Sequence, residues 1–422
     1  MSEKTFIPMS YATSLANTGN FRISTHQLAE WDGCCWQLIS KDDSMRQAFT
    51  YIYENEGEVM ATSRNAKQAY EAALLYLEPL GKPTEKTVIP VRNGYVHLSA
   101  SGVSLESHDK ALNLRYCINC NYDPLAVAPT KFMEFVERIL PDTEVRQRVQ
   151  EYIGYTLLPD APHQIAHFWL GTGANGKGVM ANIVQALHRR VAAVNLDELD
   201  GFSLTEALDA SLVYCDEAPQ NRISSRTFKM VTAAETVTIK RKYRDPVSAK
   251  IKAKWLILGN HIPETTDHSG GFWRRLEIVP FSVTIPPAER DPKLADYIVE
   301  HELSGVLNWA IEGALRLQAR GRFDPVLPKA MSDAISSAKA ESNSVISWWQ
   351  DTEKVLKSTI DTLKVDVYKT YSGWCKASGL SSLSMPKFWQ RVTADIPGFV
   401  ESRLTTRSGQ RPRVCNIALF TR

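Results

Sequence analysis

The sequence predicts an α/β protein built around a parallel sheet, and three observations carry that prediction. Short apolar runs alternate with helical patterns from residue 165 onward, as βαβ units require. A glycine-rich turn joins the first of these runs to a helix, and the second run ends in two adjacent carboxylates.

Taken in order, residues 1–90 read as a mixed α+β region. Residues His26–Trp31 and Cys35–Ile39 flank Asp32-Gly33, a hairpin turn signal. Asn65 to Leu77 places Ala66, Ala69, Ala73 and Leu77 on one helical face. Residues 91–160 form a connecting region. It opens with a second hairpin signal, Val91 to Leu98, and continues with amphipathic helices at Lys131–Ile139 and Thr143–Leu157. Residues 161–325 hold the α/β core: strands at Ile165–Leu170, Ser211–Cys215 and Lys254–Leu258, a helix at Gly178–His188, and a mainly helical stretch from Pro292 to Arg320. Residues 326–422 follow a linker as a small separate unit. There, helices at Val365–Cys375 and Pro386–Ala394 precede strands at Phe399–Leu404 and Val414–Phe420, a pattern similar to a winged helix.

Composition excludes several classes. The net charge of +2 over 422 residues gives no global signal for nucleic acid, so any basic surface must be local. No apolar run approaches the roughly 18 residues of a membrane span, and the N-terminus lacks a signal-peptide shape. The expectation is a cytoplasmic protein with no membrane partner. The seven cysteines are scattered. Cys117 and Cys120 form a CxxC, but no second matched pair accompanies them. Residues 115–122 read as a strand, in which positions three apart point to opposite faces. These cysteines are expected to be structural.

Gly171-Thr172-Gly173-Ala174-Asn175-Gly176-Lys177-Gly178 lies between an apolar strand and a helix, the context of a phosphate-binding loop. Gly171, Gly173, Ala174, Asn175, Gly176 and Gly178 would turn backbone N–H groups toward phosphate oxygens at a helix N-terminus. Lys177 adds a point charge. The residue after the lysine is Gly178, where the pattern has Ser or Thr to hold Mg²⁺. Asp216 and Glu217 end a strand 39 positions after Lys177. At a strand's carboxyl end, one carboxylate can hold Mg²⁺ and the other can polarise water. ATP and Mg²⁺ are the implied ligands. Asn260 ends a third strand, where a neutral amide can orient water. Arg274 and Arg275 precede a fourth apolar run. They either form a salt-bridging face or supply an arginine to a neighbouring subunit's nucleotide.

GTGANGKG, LVYCDEAP, LGNHIPE and GGFWRRLEIVPF, in this order, resemble the superfamily 3 helicases, and most of all the phage and plasmid primase–helicase family that includes the poxvirus-type enzymes. RNGYVHL, NYDPLA, QEYIGYTLLPD and LSGVLNWAIEGALRL extend the resemblance over roughly residues 90–325. It implies an AAA+-like core, a homo-hexameric ring with ATP between subunits, and 3′ to 5′ movement on single-stranded DNA. It further implies that Lys177 grips phosphate, Asp216 and Glu217 handle metal and water, Asn260 is the sensor, and Arg275 is the trans-acting finger, with Arg274 as the alternative. Many relatives carry a primase domain. The residues before position 90 are too few for one, so priming is expected either from another polypeptide, a separate primase or initiator, or not at all.

DNA is expected at two places. From Lys229 to Lys254 the chain has eight Lys/Arg against two acids, centred on Lys240, Arg241, Lys242, Tyr243 and Arg244. Such a segment suits a loop that tracks phosphates and stacks bases, and in similar helicases this region lines the pore. Residues 361–422 hold ten Lys/Arg and four Asp/Glu, with Arg407, Arg411 and Arg413 in a hairpin loop. That unit serves either DNA or protein docking. The competing functions are an ATP-binding origin-recognition or scaffold protein, favoured by Gly178, and a non-replicative nucleic-acid remodelling ATPase.

Overall fold

The computed structural model describes residues 5–83, 87–100, 102–199, 203–208, 210–218, 223–241, 244–262, 270–352, 354–378, 382–404 and 411–418, with the side chains of 241, 244, 245 and 340–342 left aside. The chain begins with α1 (Pro8–Thr18), β1 (Phe21–Ser24), β2 (Gln27–Trp31), β3 (Trp36–Leu38), α2 (Lys41–Glu56) and α3 (Ser63–Tyr76). The β2–β3 hairpin forms at the expected turn, where Asp32 Oδ1 accepts from the N–H groups of Cys34 and Cys35 at 2.9 Å. The preceding β1–β2 hairpin turns on Thr25 and His26, both left-handed, so no Asn-Gly or Asp-Gly signal announced it. Ser40 and Thr62 cap α2 and α3 through their side-chain oxygens. Tyr11, Leu28, Ile52, Ala69 and Ala73 fill the core between these helices and the small sheet.

An antiparallel meander follows: β4 (Val88–Val91), β5 (Gly94–Ser99) and β6 (Gly102–Glu106). Helices α4 (Thr130–Ile139) and α5 (Thr143–Thr156) come next, α5 opened by Asp142 accepting from the N–H of Glu144 at 2.9 Å. Residues 115–122 do not form the expected strand. Their backbone groups are shared between two segments: Ile118 N–H donates to Pro90 O (2.7 Å), while Asn119 N–H donates to Leu187 O (2.6 Å) and Cys117 O accepts from Arg189 N–H (3.2 Å). Only Ile118 makes a bridge, with His188. Cys117 is disulfide-bonded to Cys34, while Cys120 lies apart with its thiol 3.5 Å from Ser304 Oγ.

The central sheet is built from β7 (Ala166–Leu170), β8 (Val191–Ala193), β9 (Leu212–Cys215), β12 (Lys254–Gly259) and β13 (Leu276–Pro280), interleaved with α6 (Lys177–Leu187), α7 (Ser225–Thr232), the hairpin β10 (Thr236–Arg241) and β11 (Arg244–Lys250), and α8 (Gly270–Trp273). Its order is β13-β7-β12-β9-β8 and every pairing is parallel. β7 and β12 are almost wholly buried, which explains their continuous apolar runs. β8 has three residues, too short to show a period. Helices α9 (Leu294–His301) and α10 (Leu303–Arg320) complete the stretch, and Trp169, Leu258 and Val279 share one core with residues of α4, α5, α6 and α10 and with Ile89 and Val96 of the meander. A buried ionic cluster lies against Tyr152 and Phe323. Arg148 of α5 forks onto Glu277 of β13, with Nε to Oε2 at 2.8 Å, and His167 of β7 approaches the same carboxylate at 3.3 Å. Burial pushes Glu277 upward, but the two partners outweigh it and bring the carboxyl down to about 2.

The described residues divide into two compact units, the larger within Met1–Pro263 and Gly271–Met331 and the smaller within Ser332–Arg422. The chain passes from one to the other within α11 (Lys329–Ser342). The smaller unit contains α12 (Ser344–Asp351), β14 (Thr362–Leu363), α13 (Lys364–Ala377), α14 (Met385–Asp395), β15 (Glu401–Arg403) and β16 (Arg413–Cys415). Its antiparallel sheet runs β14-β16-β15, and Trp348, Tyr371, Phe388 and Val392 form its core. Among the described residues no helix is long and apolar enough to cross a membrane.

Candidate functional site

Parallel pairing sets three strand ends on one edge of the sheet. Leu170 pairs with Gly259, and Cys215 with Ile257, so the residues after β7, β12 and β9 emerge side by side. These residues are the 171–176 loop, Asn260, and Asp216-Glu217. The strand order puts Asn260 between the other two.

The loop is held rigidly. Asn175 is buried, its amide donates to Phe281 O at 3.2 Å, and its Oδ1 accepts from Lys177 N–H at 3.3 Å. Ala174 O accepts from Ile285 N–H at 2.7 Å, fixing a left-handed alanine. Gly176 is also left-handed (φ +80°), and a Cβ there would sit 2.7 Å from Ile139 Cγ2, so this position requires glycine. A Cβ on Gly171 would collide with the Asn175 amide at 2.0 Å. Helix α6 then starts at Lys177 with no side-chain cap from Gly176; the Lys177 N–H is taken by Asn175, and the N–H groups that follow face the loop, where an anion can be held.

Lys177 Nζ donates to Gly171 O at 2.7 Å and to Asn260 Oδ1 at 2.9 Å. Burial lowers the affinity of this ammonium for its proton, and attraction from Asp216 and Glu217 partly restores it. The lysine, the amide and the two carboxylates therefore form one electrostatic cluster. Asp216 and Glu217 are exposed, and Glu217 is left-handed (φ 54°) at the turn leaving β9. Tyr214 adds a hydrogen bond to Asp216, and burial together with that carboxylate drives its phenol well above the usual range. Sequence reasoning missed Tyr214 and the anchoring role of Asn175. Gly178 is exposed, and a Cβ built there meets nothing within 4 Å.

The two arginines stand elsewhere. Leu276 pairs with Ala166, so Arg274 and Arg275 lie at the opposite edge, across a five-residue strand that is roughly 16 Å long. Arg275 is buried; it donates to Gly271 O at 2.7 Å and to Gln164 Oε1 at 3.1 Å. Arg274 is exposed. In the β10–β11 hairpin, Val237 and Ile239 are buried and Lys240 is exposed. Lys242 and Tyr243, and the side chains of Arg241 and Arg244, lie outside the described residues. In the smaller unit Arg411 and Arg413 are exposed, and Arg407 lies outside the described residues.

A family model described as a family of unknown function (DUF5906) matches residues 169–275, from the glycine-rich loop's strand to Arg275. Among curated proteins, the chain is 22% identical over 208 residues to a protein of Acanthamoeba polyphaga mimivirus named "Putative helicase", covering 46% of this chain and 22% of that one. A protein of Invertebrate iridescent virus 3 with the same designation is 21% identical over 314 residues, covering 65% of this chain and 33% of that one. A third, from Frog virus 3, is 20% identical over 291 residues, covering 62% and 29%. The chain thus spans between 22% and 33% of the length of these relatives. Among solved structures, the apo NrS-1 C-terminal region matches with a TM-score of 0.54 at 11% identity, covering 98% of this chain and 100% of that one. A second apo structure of the same region gives 0.55 at 11%, with the same coverage. The fold is therefore shared over nearly the whole chain, and the sequence likeness runs to helicase-like viral proteins.

Proposed function

We propose that this chain is an ATP-driven helicase or translocase acting on single-stranded DNA. One observation carries the reading. Lys177, Asn260, Asp216 and Glu217 converge at one sheet edge, beside an uncapped helix N-terminus. A cation, a neutral amide and two carboxylates are what phosphoryl transfer to water needs in one place. The likeness to viral helicase-like proteins points the same way.

The N–H groups of Gly178 and Val179 and the Lys177 ammonium would hold phosphate oxygens of ATP. Asp216 would hold Mg²⁺, with water filling the position that Gly178 leaves without a hydroxyl. When bound, ATP supplies the phosphoanhydride bond and Mg²⁺ spreads its charge. Glu217 then accepts the proton of the attacking water on a carboxylate oxygen, and Asn260 orients that water by donating and accepting. Arg274 is the better finger. It is exposed at the far edge, where it can reach only a neighbour's nucleotide, whereas Arg275 is tied into its own subunit by Gln164 and Gly271. This assignment implies a ring, with the hexamer as the expected form. The β10–β11 hairpin would carry Lys240, Arg241, Lys242, Tyr243 and Arg244 to the strand, and the smaller unit would serve as a winged-helix-like module with Arg407, Arg411 and Arg413 toward DNA.

The competing reading, an initiator or scaffold that binds ATP without hydrolysing it, is favoured only by Gly178. Hydrolysis measured with and without single-stranded DNA, in wild type and Lys177→Ala, separates the two. DNA-stimulated hydrolysis lost in Lys177→Ala supports the motor; ATP binding without hydrolysis in the wild type supports the scaffold.

A further inference from the structure

The larger unit holds a cavity of about 700 Å³ with a composition opposite to that of the carboxyl edge. It lies at the amino edge of the sheet, beside the base of the β10–β11 hairpin. Lys82, Arg115, Lys250, Lys252 and Lys254 line it, against the single carboxylate Asp160. Its remaining wall is largely apolar, from Leu114, Pro159, Pro162 and Leu208.

Three of the cations are placed by one local rule. Lys250 ends β11, pairing with Thr236, and Lys252 and Lys254 follow at alternate positions. Ile251 and Ala253 between them are buried in the protein, so the alternation turns the lysines to the cavity side. Lysines two residues apart in extended chain are spaced by roughly 6.6 Å. Lys250 and Lys252 thus present two charges at that spacing, which suits a repeating anion better than a compact one. Lys252 Nζ lies 3.3 Å from Asp160, which occupies the one carboxylate. Lys254 is buried on the cavity floor with its ammonium on Leu158 O, and burial lowers it to about 7. Arg115 donates to Gly81 O at 3.2 Å, which fixes its guanidinium at the rim.

We infer that this groove binds the phosphodiester backbone of a nucleic-acid strand, continuing the basic hairpin into the body of the unit. Phosphate oxygens meet Lys82, Lys250 and Lys252, and the apolar wall accepts sugar or base faces. A volume of this size also admits a single nucleotide, whose phosphate offers the same chemistry. The strand is favoured because Lys250 ends β11 of the hairpin and Lys252 follows it directly in the chain. This inference rests on the reading of the hairpin as the DNA-handling element.

The test is binding of a fluorescent dT₁₂ oligonucleotide by anisotropy across a salt series. It compares wild type, the groove variant Lys82→Gln/Lys250→Gln/Lys252→Gln, and the hairpin variant Lys240→Ala/Arg241→Ala/Arg244→Ala, with dTMP as competitor. The groove variant spares Lys254 and Arg115, which make internal hydrogen bonds, and its melting temperature is checked against wild type. The expected result is a loss of affinity of at least about tenfold and a salt slope lowered by about 2 for three lost single-strand contacts. Weak competition by dTMP assigns the site to a strand, and competition as strong as that of unlabelled oligonucleotide assigns it to a free nucleotide; either supports an anion site. If the groove variant binds as wild type while the hairpin variant does not, the groove falls and the motor reading stands. If wild type does not bind the oligonucleotide, both fall.

Discussion

The two edges of the central sheet use polar groups in opposite ways. At the carboxyl edge, Lys177 shares its field with two exposed carboxylates, and the start of α6 is left without a side-chain cap. At the amino edge, Arg275 is tied to Gln164 and Gly271, Lys254 to Leu158 O, and cations outnumber carboxylates around the cavity. The first arrangement suits a metal-bound polyphosphate; the second suits a bare phosphate chain. The contrast teaches that two arginines adjacent in sequence differ in role by their contacts: Arg275 is held within its own chain by Gly271 and Gln164, and Arg274 is exposed.

Substitutions at each edge test that contrast, and the largest effect is expected from the exposed arginine. Arg274→Ala should lower hydrolysis by about 10³–10⁵-fold while leaving the melting temperature unchanged. Arg275→Ala should instead lower the melting temperature, because it empties a buried position and removes the hydrogen bonds to Gly271 and Gln164. If the proposed ring forms, mixing Arg274→Ala with Lys177→Ala subunits should restore partial activity, since a mixed ring would contain interfaces with both groups intact; equal loss in the mixture would show that the arginine acts within its own chain. Lys177→Ala should cost about 10²–10³-fold in turnover, read from steady-state hydrolysis at saturating ATP.

Between the edges lies the Arg148–Glu277–His167 cluster, whose loss should affect stability before activity. Glu277→Gln leaves Arg148 buried without its charge partner, a change worth roughly 3–5 kcal/mol in urea unfolding. Its pH dependence has a definite sign. The folded-state value near 2 is below the ordinary 4.5, so the contribution is complete above about 4.5 and is lost as pH falls toward about 2. In Glu277→Gln that acid transition should flatten. The smallest effect belongs to Gly178. The space around its Cβ is empty, so Gly178→Thr should fold normally and tighten Mg²⁺ dependence by a few-fold, about 1 kcal/mol. A loss of activity in that variant would mean that the open space is itself used.

Much of this was legible in the sequence because the signals were local. The apolar runs of β7, β9 and β12 are continuous because those strands are buried, and the loop and the Asp216-Glu217 pair are each an unbroken stretch that follows such a run directly. What escaped was set by distant partners. Residues 115–122 looked extended, but Pro90, Leu187 and Arg189 divide their hydrogen bonds, so no ladder forms. Cys34 and Cys117 are 83 positions apart, and no spacing rule joins them. The β1–β2 turn uses left-handed Thr25 and His26, residues that carry no turn signal. The Lys177–Asn260 contact spans 83 positions, and Tyr214 was read only as a strand residue. The burial of Arg275 depends on Gln164, which lies 111 positions away.

The most direct test of the central claim is to measure ATP binding and ATP hydrolysis side by side in wild type and Glu217→Gln. If the carboxyl edge is a hydrolytic site with Glu217 as its base, both proteins bind ATP with similar affinity, and hydrolysis falls by about 10²–10⁴-fold in the variant. Wild-type turnover in Glu217→Gln, or a wild-type protein that binds no ATP, would contradict it.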